Sequence, residues 1–256
     1  MGLDLNKMKA KLAALKGNGG GGTSVFWKPQ EGEQTIRILP TADGDPFKDY
    51  HFHYMNINGK NHSVMCPKRN FGESCPICDF ASNLWNEGQN GTPGAADEAK
   101  KLFAKQRFFS PVIVRGEEDK GVRLWGYGKT AYKELLNLVL NPEYGDSTDV
   151  NEGTDLVITY GKPAGAQFPQ TTITPRRKSS PLAASEDEIA GRLDEVPDFN
   201  TVFEGSRKTP QEVQGMLDSF LLQEEDAEEM STESSHYNKS TEVTEVDAAF
   251  NELLGA

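Results

Sequence analysis

Short runs in which apolar and polar residues alternate recur through most of the chain. In residues 34–39, Ile36 and Ile38 flank Arg37, and Pro40 ends the run. A period of two with a terminating proline predicts a strand with one buried face. Similar runs predict strands at residues 25–28, 51–57, 108–115, 122–127, 155–160 and 171–174. Helical periodicity is rarer and predicts helices over residues 77–86, 95–104, 130–140 and 209–222. The last opens on Thr209, Pro210 and Glu212, a capping box with proline at the first helical position, and puts Val213, Met216, Leu217 and Phe220 on one face. Because the strands do not alternate regularly with long helices, a βαβ sheet is disfavoured. The predicted class is mainly β with some helix (α+β), a small, partly open barrel carrying insertions.

The two ends of the chain break this pattern. Leu3, Leu5, Met8, Leu12 and Leu15 recur at near-helical spacing among Lys7, Lys9, Lys11 and Lys16, which predicts a short basic amphipathic helix. Residues 17–22, Gly-Asn-Gly-Gly-Gly-Gly, follow as a flexible linker, so residues 1–22 read as an arm that reaches a neighbouring molecule. From Gln223 onward Glu, Asp, Ser, Thr and Asn dominate, and residues 223–256 are expected to be a disordered acidic tail. Near its end Val243, Val246, Phe250, Leu253 and Leu254 form a helical stripe with no core of its own, expected to bind a partner. Residues 23–222 remain as the folded body.

Charge sharpens this division. The chain of 256 residues has a formal net charge of -12, but residues 1–22 hold four lysines against Asp4, and residues 23–180 hold 19 basic and 19 acidic side chains. Residues 181–222 hold 3 basic against 9 acidic, and residues 223–256 hold Lys239 against 10 acidic. The acidity is C-terminal, so the low overall pI does not exclude a nucleic-acid partner. An acidic tail beside a neutral body can compete with phosphate for a basic surface. No apolar run approaches the roughly 20 residues of a membrane span, and residues 1–16 lack a signal-peptide core. The chain is therefore expected to stay in a reducing cytoplasm.

All three cysteines, Cys66, Cys75 and Cys78, fall within thirteen residues, an odd count that builds no disulfide framework. Cys75-Pro-Ile-Cys78 is a CxxC knuckle that brings two thiolates to one ion, and Cys66 adds a third. Structural zinc takes four ligands, so a histidine is expected to complete the set. His51, His53 and His62 are nearby. Asn58-Gly59 signals a hairpin: a two-residue turn would put residue 51 opposite residue 66, and a four-residue loop would put residue 53 there. The arithmetic leaves the choice open. Nothing in the spacing suggests the open coordination of a catalytic metal.

Basic and aromatic residues also interleave. In residues 123–129 the strand period puts Arg123, Trp125, Tyr127 and Lys129 on one face, which is expected to stack bases and meet phosphates. Lys105, Arg107 and Phe109 share a parity opposite to Phe108, Val112 and Val114, which are expected in the core. Arg176, Arg177 and Lys178 form a cationic loop suited to phosphate, and Tyr160 is a further candidate contact. Walker, GxSxG and HExxH motifs are absent, so no enzyme is expected.

Trp27-Lys28, residues 34–40 (Gln-Thr-Ile-Arg-Ile-Leu-Pro), the thirteen-residue step from His53 to Cys66 across an Asn-Gly, and Ser74-Cys-Pro-Ile-Cys78 together resemble the single-stranded DNA-binding (helix-destabilising) proteins of T4-like bacteriophages over nearly the whole length. The resemblance implies an OB-fold-like, partly open five-stranded barrel with an inserted zinc-binding subdomain at about residues 47–90. It implies one structural Zn2+ on His53, Cys66, Cys75 and Cys78, which settles the histidine. It further implies sequence-independent coating of single-stranded DNA in phage replication, recombination and repair within an infected bacterium. Self-association would run through the N-terminal arm, and recruitment of replication and recombination proteins through the acidic tail. Two other readings are a zinc-stabilised protein-interaction adaptor and an RNA-binding translational regulator.

Overall fold

The computed structural model describes residues 25–229. The expectations for residues 1–22 and for the stripe at residues 243–254 lie outside the described residues. The chain divides into two compact units, residues 25–49 with 108–201, and residues 50–107 with 202–229.

The first unit is built on strands β1 (Phe26–Trp27), β2 (Gly32–Ile38), the greater part of β5 (Lys105–Val114), β6 (Arg123–Tyr127), β7 (Leu156–Gly161) and β8 (Gln170–Pro175). Their order is β1-β6-β5-β2-β7-β8. Every neighbouring pair is antiparallel except β1 and β6, which run parallel over two residues. Five antiparallel strands thus form the sheet, with a two-residue strand added at one edge, consistent with the OB-like core.

Both faces of this sheet are covered. On one, Ile36, Ile38, Phe108, Val112, Trp125 and Ile158 pack with Ala131, Leu135 and Leu138 of helix α4 (Lys129–Val139). The 3.6-residue spacing of those three helical positions supplies the matching apolar stripe. On the other, Leu39, Ile113, Val122 and Leu182 pack together, with Ile189 of α5 (Glu186–Asp194) against them. The β5–β6 register pairs Phe108 with Tyr127 and Ser110 with Trp125.

Arg37, which alternation alone would turn to water, is 1% exposed. Its Nε donates to Asp155 at 2.9 Å, and its terminal nitrogens donate to the carbonyls of Asp149, Gly153 and Ser180. Arg115 donates to the same carboxylate. Gly153 sits so tightly in this arrangement that a Cβ would stand 2.3 Å from the Asp149 carbonyl oxygen, which only glycine allows.

The second unit carries the hairpin β3 (Lys48–Ile57) and β4 (Lys60–Met65), then α1 (Pro67–Phe71), α2 (Pro76–Gln89), α3 (Ala95–Leu102) and α7 (Pro210–Glu229). The connection into α7 includes α6 (Phe199–Glu204). Val213 and Leu217 of α7 share a core with Met55, Val64, Ile77 and Leu102. The capping box closes as its sequence requires: Glu212 N donates to Thr209 Oγ1 at 3.3 Å, and Thr209 N to Glu212 Oε2 at 2.7 Å.

Helix α7 continues to Glu229, seven residues into the segment expected to be disordered from Gln223. The stretch 223–229 is Gln, Glu, Asp and Ala, and Gln, Glu and Ala prolong an already nucleated helix at little cost. Helices α1, α5 and α6 were not predicted. Each is shorter than ten residues, a length over which periodicity is only weakly marked.

Candidate metal centre and nucleic-acid interface

The hairpin turn is two residues long. Ile57 pairs with Lys60, and Asn58 and Gly59 take positive φ of 54° and 75°, the conformation an Asn-Gly turn supplies. His51 therefore stands opposite Cys66, whose N–H donates to the His51 carbonyl at 2.9 Å. His53 pairs with Val64, yet it is His53 that joins the cysteines. A side chain on the same face reaches its diagonal neighbour two residues along the partner strand, and Cys66 holds that position.

Each cysteine is placed by a helix start. Cys66 caps α1 and its Sγ accepts from Arg69 N at 3.3 Å. Cys75 is the N-cap residue of α2, with Pro76 at the first helical position, and Cys78 lies in the first turn. Helix N-termini favour negative charge, which suits thiolates. The ligand atoms of His53, Cys66, Cys75 and Cys78 all lie within 4.8 Å of one another. His53 Nδ1 is 2.7 Å from the Leu102 carbonyl oxygen, so it carries the proton and leaves Nε2 facing Cys75 Sγ at 3.3 Å and Cys78 Sγ at 3.5 Å. Cys66 Sγ and Cys78 Sγ are 3.4 Å apart.

Burial disfavours charge on His53, but hydrogen bonds to Cys66, Cys75 and the Leu102 carbonyl outweigh it and push the imidazole up to about 9. Hydrogen bonds with Cys66 and Cys78 hold the Cys75 thiol well below its ordinary range. Those with Cys66 and Cys75 push Cys78 up. An acidic thiol beside a basic imidazole is a charge arrangement that a cation can replace. Three thiols and one imidazole, with His53, Cys66 and Cys75 fully buried, fit a closed structural site rather than a catalytic one.

The aromatic face expected at residues 123–129 is turned inward. Trp125 and Tyr127 are buried and lie with Phe108 and Val112 in the core. The register dictates this, because Tyr127 stands opposite Phe108 and residues facing each other across a ladder share a face. Arg123, on the same side, is buried and its Nη2 donates to Glu117 Oε2 at 2.6 Å. Phe109 is buried on the other face, edge-on to Phe26 with ring centroids 6.2 Å apart. As they stand, these four side chains cannot stack a base or meet a phosphate.

The remaining candidates are more open. Lys105, Lys129, Arg177 and Lys178 are exposed, as is Arg176, whose Nη2 donates to Thr35 Oγ1 at 3.2 Å. Arg107 and Tyr160 are half-buried. In the second unit, aromatic rings meet cations at three places that sequence reasoning missed. Lys105 Nζ lies 5.6 Å from the Tyr54 ring, Lys100 Nζ 6.0 Å from the Trp85 ring, and Arg207 4.5 Å from the Phe71 ring. Burial pushes the Tyr54 phenol up to about 12, against the nearby Arg107 charge. In the first unit Phe168, in the β7–β8 connection, is 67% exposed. A lone aromatic between glycine and proline residues was its sequence signal.

A family model described as gp32 DNA binding protein like matches residues 30–212, which include β2 to β8 and all four residues of the metal cluster. No curated protein matches the chain.

Proposed function

The chain belongs to the gp32-like DNA-binding protein family, and from that membership we propose that it binds single-stranded DNA without sequence preference. The match over residues 30–212 is the observation that carries this reading. It would coat strands exposed in phage replication, recombination and repair, in the cytoplasm of an infected bacterium, and trap melted duplex by preferring single strands. No reaction is assigned to it.

Exposed Lys105, Lys129, Arg176, Arg177 and Lys178 are suited to neutralising phosphates. Half-buried Arg107 and Tyr160, together with Tyr54, Trp85, Phe71 and Phe168, are the better-placed partners for bases. A stacked base contributes about 1–3 kcal/mol regardless of its identity, which gives affinity without sequence readout.

His53 and the three cysteines would hold one zinc ion, through Nε2 and three thiolates. Bound there, zinc would supply folding energy to the unit whose hairpin and helices its four ligands join. The Leu102 carbonyl orients the imidazole, and helices α1 and α2 present the sulfurs. Copies would associate through the basic N-terminal arm, and the acidic tail would recruit replication and recombination proteins.

Titration with oligo(dT), oligo(rU) and mixed-sequence duplex, followed by intrinsic fluorescence, tests the reading. Tight binding of oligo(dT) over the other two is expected. Preference for oligo(rU) would favour an RNA-binding regulator, and binding of none would favour an interaction adaptor.

A further inference from the structure

Residues 207–223, which carry most of α7, are held to the second unit at three places, each on a segment that the metal-cluster residues bracket. Arg207 pairs with Glu73 and stands over the Phe71 ring at 4.5 Å, both in the stretch between Cys66 and Cys75. Val213 and Leu217, both buried, share one apolar cluster with Cys66 and Cys75. Gln223 Oε1 accepts from the backbone N–H of Asn58 at 2.6 Å, in the turn between His53 and Cys66.

The seat of α7 is composite. Met55, Ile57 and Val64 come from the β3–β4 hairpin, and Ile77 and Ala81 from α2. The cluster residues divide in the same way: His53 and Cys66 belong to the hairpin and its end, Cys75 and Cys78 to the start of α2. An ion held by all four would clamp together the two halves of the surface on which α7 lies. A gap of about 0.5–1 Å between packed atoms already forfeits a quarter to a half of their attraction, so α7 depends on that alignment. Resting on the reading that these four residues hold zinc, we propose that the metal site is the catch of a latch: zinc seats residues 207–223, and its loss frees them. Residues 223–256, with 10 acidic side chains against Lys239, continue from this helix, so zinc fixes the point from which that charge extends. Linkage makes the coupling reciprocal: whatever factor zinc contributes to seating α7, seated α7 contributes to zinc affinity.

Both directions are measurable on the full chain. Zinc-loaded chain, its stoichiometry read by elemental analysis, is compared with the same chain after chelation by hydrogen-deuterium exchange and mass spectrometry. Amides of residues 211–222 are expected to exchange roughly tenfold faster after chelation, a coupling of ordinary size. The β3–β4 hairpin should keep most of its protection, and α4 of the first unit all of it. Deprotection of α7 and the hairpin to the same extent overturns the latch, because release is then unfolding of the whole unit. Unchanged exchange over residues 211–222 overturns it as well. In the reverse direction, zinc affinity is measured by competition with a chromophoric chelator. Leu217→Ala is expected to bind zinc roughly tenfold more weakly, and Leu222→Ala, at a side chain 60% exposed, to bind as the unaltered chain does. Equal affinity in Leu217→Ala overturns the latch. A chain that takes up no zinc removes the metal reading and the latch together, whereas one zinc per chain with α7 exchange indifferent to it removes the latch alone.

Discussion

Replacing Trp125 with alanine separates a core role from a DNA-stacking role. Trp125 is 1% exposed, with ring centroids 6.0 Å from Trp27 and 4.4 Å from Tyr127, and it packs among Ile36, Ile38 and Val112. A Trp→Ala change in such a core costs about 3–5 kcal/mol, combining lost transfer free energy with the cavity left behind. Domains are stable by only about 5–15 kcal/mol, so the variant should be marginal. With a urea dependence of about 2 kcal/mol per molar, the midpoint should fall by roughly 2 M. The assay is urea unfolding followed by far-ultraviolet circular dichroism, with oligo(dT) affinity measured in parallel without denaturant. Tyr127→Phe supplies a smaller step. The Tyr127 hydroxyl and Ser110 Oγ are 2.7 Å apart and both buried, so losing one partner should cost about 1–3 kcal/mol. An unchanged urea midpoint for Trp125→Ala, accompanied by a large loss of oligo(dT) affinity, would refute the packing argument and return the ring to the DNA surface.

Chelation, Cys75→Ser or His53→Ala should each remove bound metal, measured by elemental analysis, and open residues 67–90 to protease, while His51→Ala and His62→Ala should keep full metal. Because binding displaces protons from the thiols and from His53, held up to about 9, apparent zinc affinity should rise with pH toward about 9; a flat profile would contradict the ligand set. Asp155→Asn leaves Arg37 and Arg115 facing each other without their shared carboxylate and should cost about 3–5 kcal/mol in urea unfolding. Lys129→Ala, exposed at the start of α4, should keep the fold and lower the salt slope of oligo(dT) binding by about 0.7. An unaltered slope would take Lys129 out of phosphate contact.

The sequence alone determined most of the elements and the chemistry of the candidate metal cluster. Period-two runs marked most strands, Thr209-Pro-x-Glu marked the start of α7, and Cys66, Cys75 and Cys78 announced a candidate metal site, because these signals depend on residues close along the chain. It left the histidine undecided on hairpin arithmetic, since both turn lengths suit Asn58-Gly59, and only the resemblance favoured His53. The three-dimensional arrangement shows why opposition across the ladder was a poor guide: the imidazole that joins the cysteines reaches diagonally. Tertiary structure alone decided the orientation of residues 123–129. Alternation says which side chains share a face, but not which face is covered; that depends on pairing with Phe108 and on α4 packing over the sheet, contacts between residues far apart in sequence. Burial of Arg37 was hidden for the same reason, because its partner Asp155 lies 118 residues away and no local pattern records a charge compensated at that distance.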